Sequence, residues 1–335
     1  MTETRLLDQE TIKKMLTMDK VNEIVEKTFQ EVGERRVKNP TKVTLDLGNN
    51  SDWPEYEGYM NAMPAYIGGL DVAGLKWVGG FDGKRKEAGY PYINGLILLI
   101  DPQLGTFKAV MDGTLITNLR TGAQTAVAIK YLGFEKGSDL NLALFGTGMQ
   151  ASMQLHAIAD WFNIKHVNLW HYHDKGVKEF IAEHEDLVDG DIDYVTDVKE
   201  ACDADIVITA TKSQEALLDY QDISGDTVII PIGSGHEIGN HLINYSDHIV
   251  VDHIGQALHR GALADAATKS IIDEDDIDAT IGQLASGRLT LPGLRKGTTI
   301  CVPIGIGALD IAIAGQLAKE AEAENIGSTF SFNPY

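Results

Sequence analysis

The sequence predicts an α/β protein in two parts: an α+β first part and a doubly wound second part. Three observations predict it. Residues 142–145 form an apolar run of the kind a buried parallel strand needs. That run leads into Gly146, Gly148 and Ala151, with an apolar-periodic helix behind them (Met153, Leu155, Ile158, Ala159, Phe162). From about Leu115 onward strand-like and helix-like segments alternate, and before it they do not.

Each small residue of the 146–151 turn has a physical role. Gly146 permits a tight turn off the strand, Gly148 lets the backbone approach a pyrophosphate, and Ala151 lets the next helix sit close to the sheet. The helix then points its first N–H groups at the anion. A glycine pattern alone is weak evidence, but strand before and helix after are the context it requires. The second part therefore reads as a Rossmann domain binding NAD or NADP.

Composition sets the outer limits. A chain of 335 residues is comfortable for two domains, and 44 % apolar with 23 % charged residues is ordinary for a globular protein. Cys202 and Cys301 make no disulfide framework and have no metal-ligand company, so they read as buried thiols in a reducing compartment, with no metal expected. No apolar run is long enough to span a bilayer, and the first residues lack a signal-peptide pattern, so a cytoplasmic protein without a membrane partner is expected. The net charge of −21 argues against nucleic acid, which needs a basic face.

In order, residues 8–34 carry an amphipathic helical pattern (Ile12, Met15, Leu16, Val21, Ile24, Val25, Phe29) with Gly33 as its stop. Residues 42–47 alternate like a strand, and residues 49–57 read as a polar loop. Strand-like runs follow at 59–63, 73–80, 92–100 and 106–111, separated by short polar turns. A helix over 117–132 has small residues at Gly122, Ala123 and Ala126. Strands are expected at 166–171, 205–209, 227–231, 249–251 and 299–303, and helices at 175–183, 277–286 and 308–323. The last helix is free to return to the first domain. The tail after Asn325 is polar and reads as loosely ordered.

A Rossmann unit commonly places an acid at the tip of its second strand, where it binds the ribose hydroxyls of NAD. Here that place falls to His171, followed by Tyr172, His173 and Asp174. An imidazole accepts a 2′-phosphate that a carboxylate would repel, which leans slightly to NADP. In the alternative, His171 and Tyr172 flank the adenine and Asp174 caps the next helix. Thr209, Ala210 and Thr211 follow a strand at the carboxyl edge of the sheet, where a cofactor lies, and Ser213 reads equally as a helix cap. In the first part, Lys76 stands in an apolar strand, Gly-Leu-Lys-Trp-Val, where desolvation would lower its pKa toward a proton-transfer role. Arg120, in a small-residue helix, has the fork that grips a carboxylate, and Lys42 opens a strand. Taken singly, each of the three reads first as a surface or salt-bridge residue.

Together these segments resemble the ornithine cyclodeaminase and μ-crystallin family, which includes an alanine dehydrogenase and ketimine reductases. The matching stretches are Met63-Pro64-Ala65-Tyr66, Gly74-Leu75-Lys76-Trp77-Val78, Gly89-Tyr90-Pro91, and the run from Ala109-Val110-Met111-Asp112-Gly113 through Arg120-Thr121-Gly122-Ala123 to Leu132. The Gly146 turn with Gln150, Thr209-Ala210-Thr211, and Gly305 with Asp310 complete them in order.

The resemblance implies a homodimer paired through its first domains, with a small amino or imino acid held between the two domains of each subunit. Residues 1–124, with 308–335 returning, would bind substrate and dimerise, and 125–307 would form the NAD(P) domain. Lys76 falls on the family's proton-transfer lysine and Arg120 on its carboxylate-binding arginine. Lys42 stands where members commonly have a second arginine, and Tyr92 where the cyclodeaminase has a threonine. The substrate set is then Lys42, Met63, Lys76, Tyr92, Arg120 and Gly235. The cofactor set is Thr121, Gly146, Thr147, Gly148, Met149, Gln150, His171, Tyr172, Thr209, Ala210, Thr211, Ser234 and Pro303. One departure is informative. Ornithine cyclodeaminases have an aspartate for the side-chain amine where this chain has Gly235, and His236 or Glu237 would replace it only if the loop were shifted. The resemblance therefore implies an imine reductase or amino-acid dehydrogenase ahead of a cyclodeaminase. A binding protein of μ-crystallin type is the alternative outside catalysis, and the presence of both Lys76 and Arg120 speaks for the enzyme.

Overall fold

The computed structural model of the chain describes residues 2–48 and 56–333. Its elements run β1 (Thr2–Leu7), α1 (Gln9–Met15), α2 (Met18–Gly33), β2 (Val37–Lys38), β3 (Val43–Asp46), β4 (Gly58–Ile67), β5 (Val72–Phe81), α3 (Lys84–Glu87), β6 (Ile93–Ile100), β7 (Phe107–Asp112) and α4 (Thr114–Tyr131). There follow β8 (Asp139–Phe145), α5 (Met149–Ala159), β9 (Asn163–Trp170), α6 (Val177–His184), β10 (Ile192–Val195), α7 (Val198–Ala201), β11 (Ile206–Thr209), β12 (Thr227–Pro231), α8 (Asn240–Asn244), β13 (His248–Val251), α9 (Ile254–Ala257), α10 (Ala264–Thr268), β14 (Ala279–Thr280), α11 (Ile281–Ala285), β15 (Thr298–Val302), α12 (Gly307–Ala323) and β16 (Ser328–Asn333). The chain divides into two compact units, Met1–Arg120 with Ile306–Tyr335, and Thr121–Gly305, the first boundary falling inside α4.

In the first unit, strands run in the order β16-β1-β7-β6-β5-β4-β2, with β3 also on β4. Among the described residues of this sheet, the β1–β7 pair alone is parallel. The period-two alternation of strands divides the sheet into two faces. On one face the cross-strand row Met63, Lys76, Ile97 and Met111 is buried. Helix α12 packs across β4, β5 and β6 and against α2. On the other face the row Val43, Ala62, Trp77 and Leu96 stays largely exposed.

The second unit holds an all-parallel sheet in the order β10-β9-β8-β11-β12-β15-β13-β14. Strand order reverses between β8 and β11, the switch point of a doubly wound Rossmann sheet. Its central strands are buried on both faces, which is why they read as continuous apolar runs. Gly122 on α4 sits against the Met153 carbonyl of α5, where an added Cβ would lie 2.2 Å away, so the small residues serve close helix packing as expected.

Four expectations need correction. The 8–34 pattern is two helices, because Thr17 accepts a hydrogen bond from the Lys20 N–H and starts α2 afresh after the extended Leu16. The 277–286 pattern is β14 followed by a short helix, because the Thr280 hydroxyl and Gln283 amide close a capping box. The tail after Asn325 is not loose: β16 pairs antiparallel with β1, a strand whose polar sequence gave no signal. The fourth is Ser213, which caps no helix; its hydroxyl donates to the Glu215 carbonyl at 2.7 Å. Of the polar loop expected at 49–57, residues 49–55 lie outside the described residues.

Candidate active site

Lys76 faces the buried side of the first unit's sheet and is fully buried. Trp77 beside it points the other way and is about half exposed. The lysine meets Asp310, on the first turn of α12, with Nζ 2.7 Å from Oδ2. Arg120, on α4, places Nε 3.4 Å from the other oxygen of the same carboxylate. The close approach of α12 depends on Gly307, whose added Cβ would lie 2.8 Å from the Met63 carbonyl oxygen. Asn39 accepts a hydrogen bond from the Ala308 N–H at 2.9 Å, so the segment leading to Lys42 is tied to the same helix.

Burial pushes the Lys76 amine down to about 7, and the Arg120 and Lys42 charges push the same way, while Asp310 opposes them. An amine poised near neutrality exchanges protons in both directions, which is what a general acid–base group needs. Tyr92, just ahead of β6, lays its ring where Gly80 leaves room; a Cβ there would lie 2.5 Å from Cζ. Burial first, then Tyr59 and Asp82, hold the Tyr92 phenol protonated well above the usual range.

In the second unit, Gly146 has φ +115° and an added Cβ would lie 2.7 Å from the Ala210 carbonyl oxygen, so glycine is required there. Gly148 caps α5 without a side-chain hydrogen bond, and an added Cβ would meet nothing within 4 Å. Gly148 is exposed, so the space beside this N-cap is open, as a pyrophosphate at a helix N-terminus requires. Thr147 is half-buried, Met149 exposed and Gln150 half-buried on the first turn of α5. Residues present at this turn fit a dinucleotide.

His171 follows β9, with Nδ1 2.7 Å from the His173 carbonyl oxygen, and Tyr172 is exposed. Asp174 does not cap α6, whose N-cap is Gly176. Thr121 is buried, its carbonyl accepting from the Gln154 amide, and the Pro303 carbonyl accepts from Gln124 at 2.9 Å. Ser234 is exposed and Gly235 buried.

Two features have roles that the sequence patterns above do not state. Glu237 is fully buried and staples the ends of β11 and β12: it accepts from the Thr209 hydroxyl, the Thr211 N–H and hydroxyl, and the Gly233 N–H at 2.6–2.9 Å. Burial pushes its carboxyl up. Both oxygens are engaged, so Glu237 does not supply the missing base beside Gly235, and the Thr209 and Thr211 hydroxyls serve this staple. The other is the role of Asp310. It is the one charged residue between 307 and 318, the same kind of signal that marks Lys76. Among the described residues no group of three or more His, Cys, Asp or Glu is arranged to hold a metal ion, and no helix is long and apolar enough to cross a membrane.

Over 334 residues the chain is 31% identical to the alanine dehydrogenase of Archaeoglobus fulgidus, covering 98% of this chain and 99% of that protein. A solved archaeal alanine dehydrogenase dimer with bound NAD superposes with a TM-score of 0.88 at 30% identity, covering 99% and 100% of the two chains. The Thermococcus litoralis Δ1-pyrroline-2-carboxylate reductase, in complex with NADH and L-proline, gives 0.87 at 26% identity over 97% and 99%. The model of the ornithine cyclodeaminase/mu-crystallin family matches residues 2–325, and the chain belongs to that family.

Proposed function

We propose that the chain is an NAD(P)-dependent imine reductase or amino-acid dehydrogenase acting on the Cα of a small α-imino or α-amino acid. The observation that carries this reading is a buried amine near neutral pKa, Lys76, ion-paired to Asp310 beside the Arg120 guanidinium. The names of its dehydrogenase and reductase relatives support the same chemistry.

Arg120 and Lys42 hold the substrate carboxylate. Arg120 offers a planar fork and Lys42 a point charge, so the arginine fixes the orientation. Lys76 passes a proton to the substrate nitrogen in reduction and takes it back in oxidation. Met63 and Tyr92 shape the substrate site. When bound, the nicotinamide dinucleotide supplies the hydride to Cα or receives it from there. Gly146, Thr147, Gly148, Met149 and Gln150 hold its pyrophosphate at the start of α5. Thr121, Ala210, Ser234 and Pro303 complete that site through backbone and small side chains, with Thr209 and Thr211 shaping the loop. His171 leans the preference to NADP, and His171→Asp shifts it toward NAD.

The first unit is the substrate-binding and dimerisation domain of a homodimer, and Thr121–Gly305 the cofactor domain. Two buried free thiols support the reading of a protein in a reducing compartment, the cytoplasm. The test is NAD(P)H oxidation against α-keto acids with ammonia or amines, and against cyclic imines, beside an assay for proline from ornithine. Stoichiometric reduced-cofactor consumption is expected. Proline from ornithine without net cofactor turnover would replace this reading with the cyclodeaminase.

A further inference from the structure

We propose that Asp310 is a positioning residue: its carboxylate locks the Lys76 amine and the Arg120 guanidinium into one arrangement and holds the proton on Lys76. The proposal rests on the acid–base role given to Lys76 above.

Geometry carries it. The two oxygens of one fully buried carboxylate serve two different cations, Lys76 from β5 at 2.7 Å and Arg120 from α4 at 3.4 Å. Asp310 stands in the first turn of a 17-residue helix, where the helix macrodipole stabilises negative charge. Its helix is held against the sheet by the glycine contact at Met63 and by Asn39. Nothing apolar about α12 calls for a charge at this place; a leucine or alanine would fit its pattern.

The strands on either side of Lys76 place uncharged Met63 and Ile97 opposite it, and its charged neighbours come from three other segments. Arg120 from α4 and Lys42 from the segment before β3 disfavour the ammonium form, as burial does. Asp310 from α12 alone among them favours it. Without that carboxylate, an amine already near neutrality would give up its proton at still lower pH and fail as a donor under ordinary conditions.

The experiment labels lysine Cε with ¹³C in the full chain, assigns the Lys76 signal by its loss in Lys76→Met, and titrates it in the parent, Asp310→Asn and Asp310→Glu. The pH profile of imine reduction is recorded beside it. In Asp310→Asn the Lys76 midpoint is expected to fall by about 1–3 pH units. The high-pH limb of reduction is expected to fall with it, so the loss of rate is small at low pH and large at high pH. Asp310→Glu, with its charge kept but displaced, is expected to recover part of both.

A Lys76 midpoint that stays in place in Asp310→Asn overturns the proposal, as does a rate scaled down equally at every pH. If the asparagine variant does not fold, Asp310→Ser is titrated in its place, and an unmoved midpoint and profile there have the same force. Failure of both to fold assigns Asp310 to the fold and also overturns it. A midpoint that moves in a protein without reductase activity leaves the Asp310 inference standing and sinks the proposed function instead.

Discussion

The Ser213 carbonyl stands where a side chain on Gly235 would have to go: an added Cβ would lie 2.0 Å from its oxygen and 3.2 Å from Gln214 Nε2. The glycine expected to stand in place of the cyclodeaminases' aspartate is therefore built into the packing of two loops. Gly235→Asp is expected to cost about 1–3 kcal/mol, as overpacking does, and to yield no conversion of ornithine to proline. Thermal melting and a proline assay check both. A stable variant that forms proline would show that the loops yield easily.

Gly148 presents the opposite situation. Its φ of −86° and ψ of 179° suit any residue, and its Cβ direction is open. Gly148→Val is expected to fold as the parent does while losing dinucleotide binding, because the side chain fills the pyrophosphate's place. Fluorescence titration with NADH and NADPH reads the affinity, and an unchanged value would remove the turn from the cofactor site.

What was legible in the sequence follows a physical rule. Buried parallel strands and the Gly146 turn announce themselves, because a strand covered on both faces must be apolar throughout and a tight turn off its end requires glycine. Lys76 was legible because a lysine in an apolar strand is costly without a purpose. Asp310 carried the same signal in α12, yet its meaning required knowing that α12 returns to the sheet at Met63 and Lys76. Pairings between distant segments were the blind spot. The β1–β16 ladder joins distant segments of the chain, and Glu237 gathers its donors at the ends of two strands, from as far as 28 residues away. Neither leaves a local pattern.

The exposed row Val43, Trp77 and Leu96, with Leu45 nearby, is a contiguous apolar strip on the outer face of the first unit's sheet. Strips of this kind mark contact surfaces. The parent is expected to have the mass of a homodimer by light scattering. Trp77→Arg with Leu96→Lys is expected to give a folded monomer, since both side chains are about half exposed within the unit. A variant that stays dimeric would place the interface elsewhere.

Arg120→Leu removes the fork assigned to the substrate carboxylate. A buried charge-assisted contact is worth a few kcal/mol, so KM for a carboxylate substrate is expected to rise about a hundredfold or more. Parent-like kinetics would put Arg120 outside the site.

Lys76 supports a prediction that needs no knowledge of the substrate. Its amine is lowered from 10.5 to about 7 on folding, chiefly by burial. Below pH 7 both folded and unfolded chains carry the proton, and the folded state bears the full cost of a buried ammonium. Between 7 and 10.5 the unfolded chain binds more protons than the folded one, so this group's contribution to stability rises with pH; above 10.5 the cost is gone. Lys76→Met keeps the length of the side chain and removes the titration. The stability of the parent relative to Lys76→Met is therefore expected to increase from pH 7 to pH 10, by about 1 kcal/mol per pH unit at the steepest. Urea unfolding of both proteins across that range measures it. A constant difference would return Lys76 to the ordinary lysine range and take away its fitness as a proton donor near neutrality. With the expected slope present, Lys76→Ala is expected to lower turnover by about 10² to 10⁴-fold with dimer and cofactor binding intact.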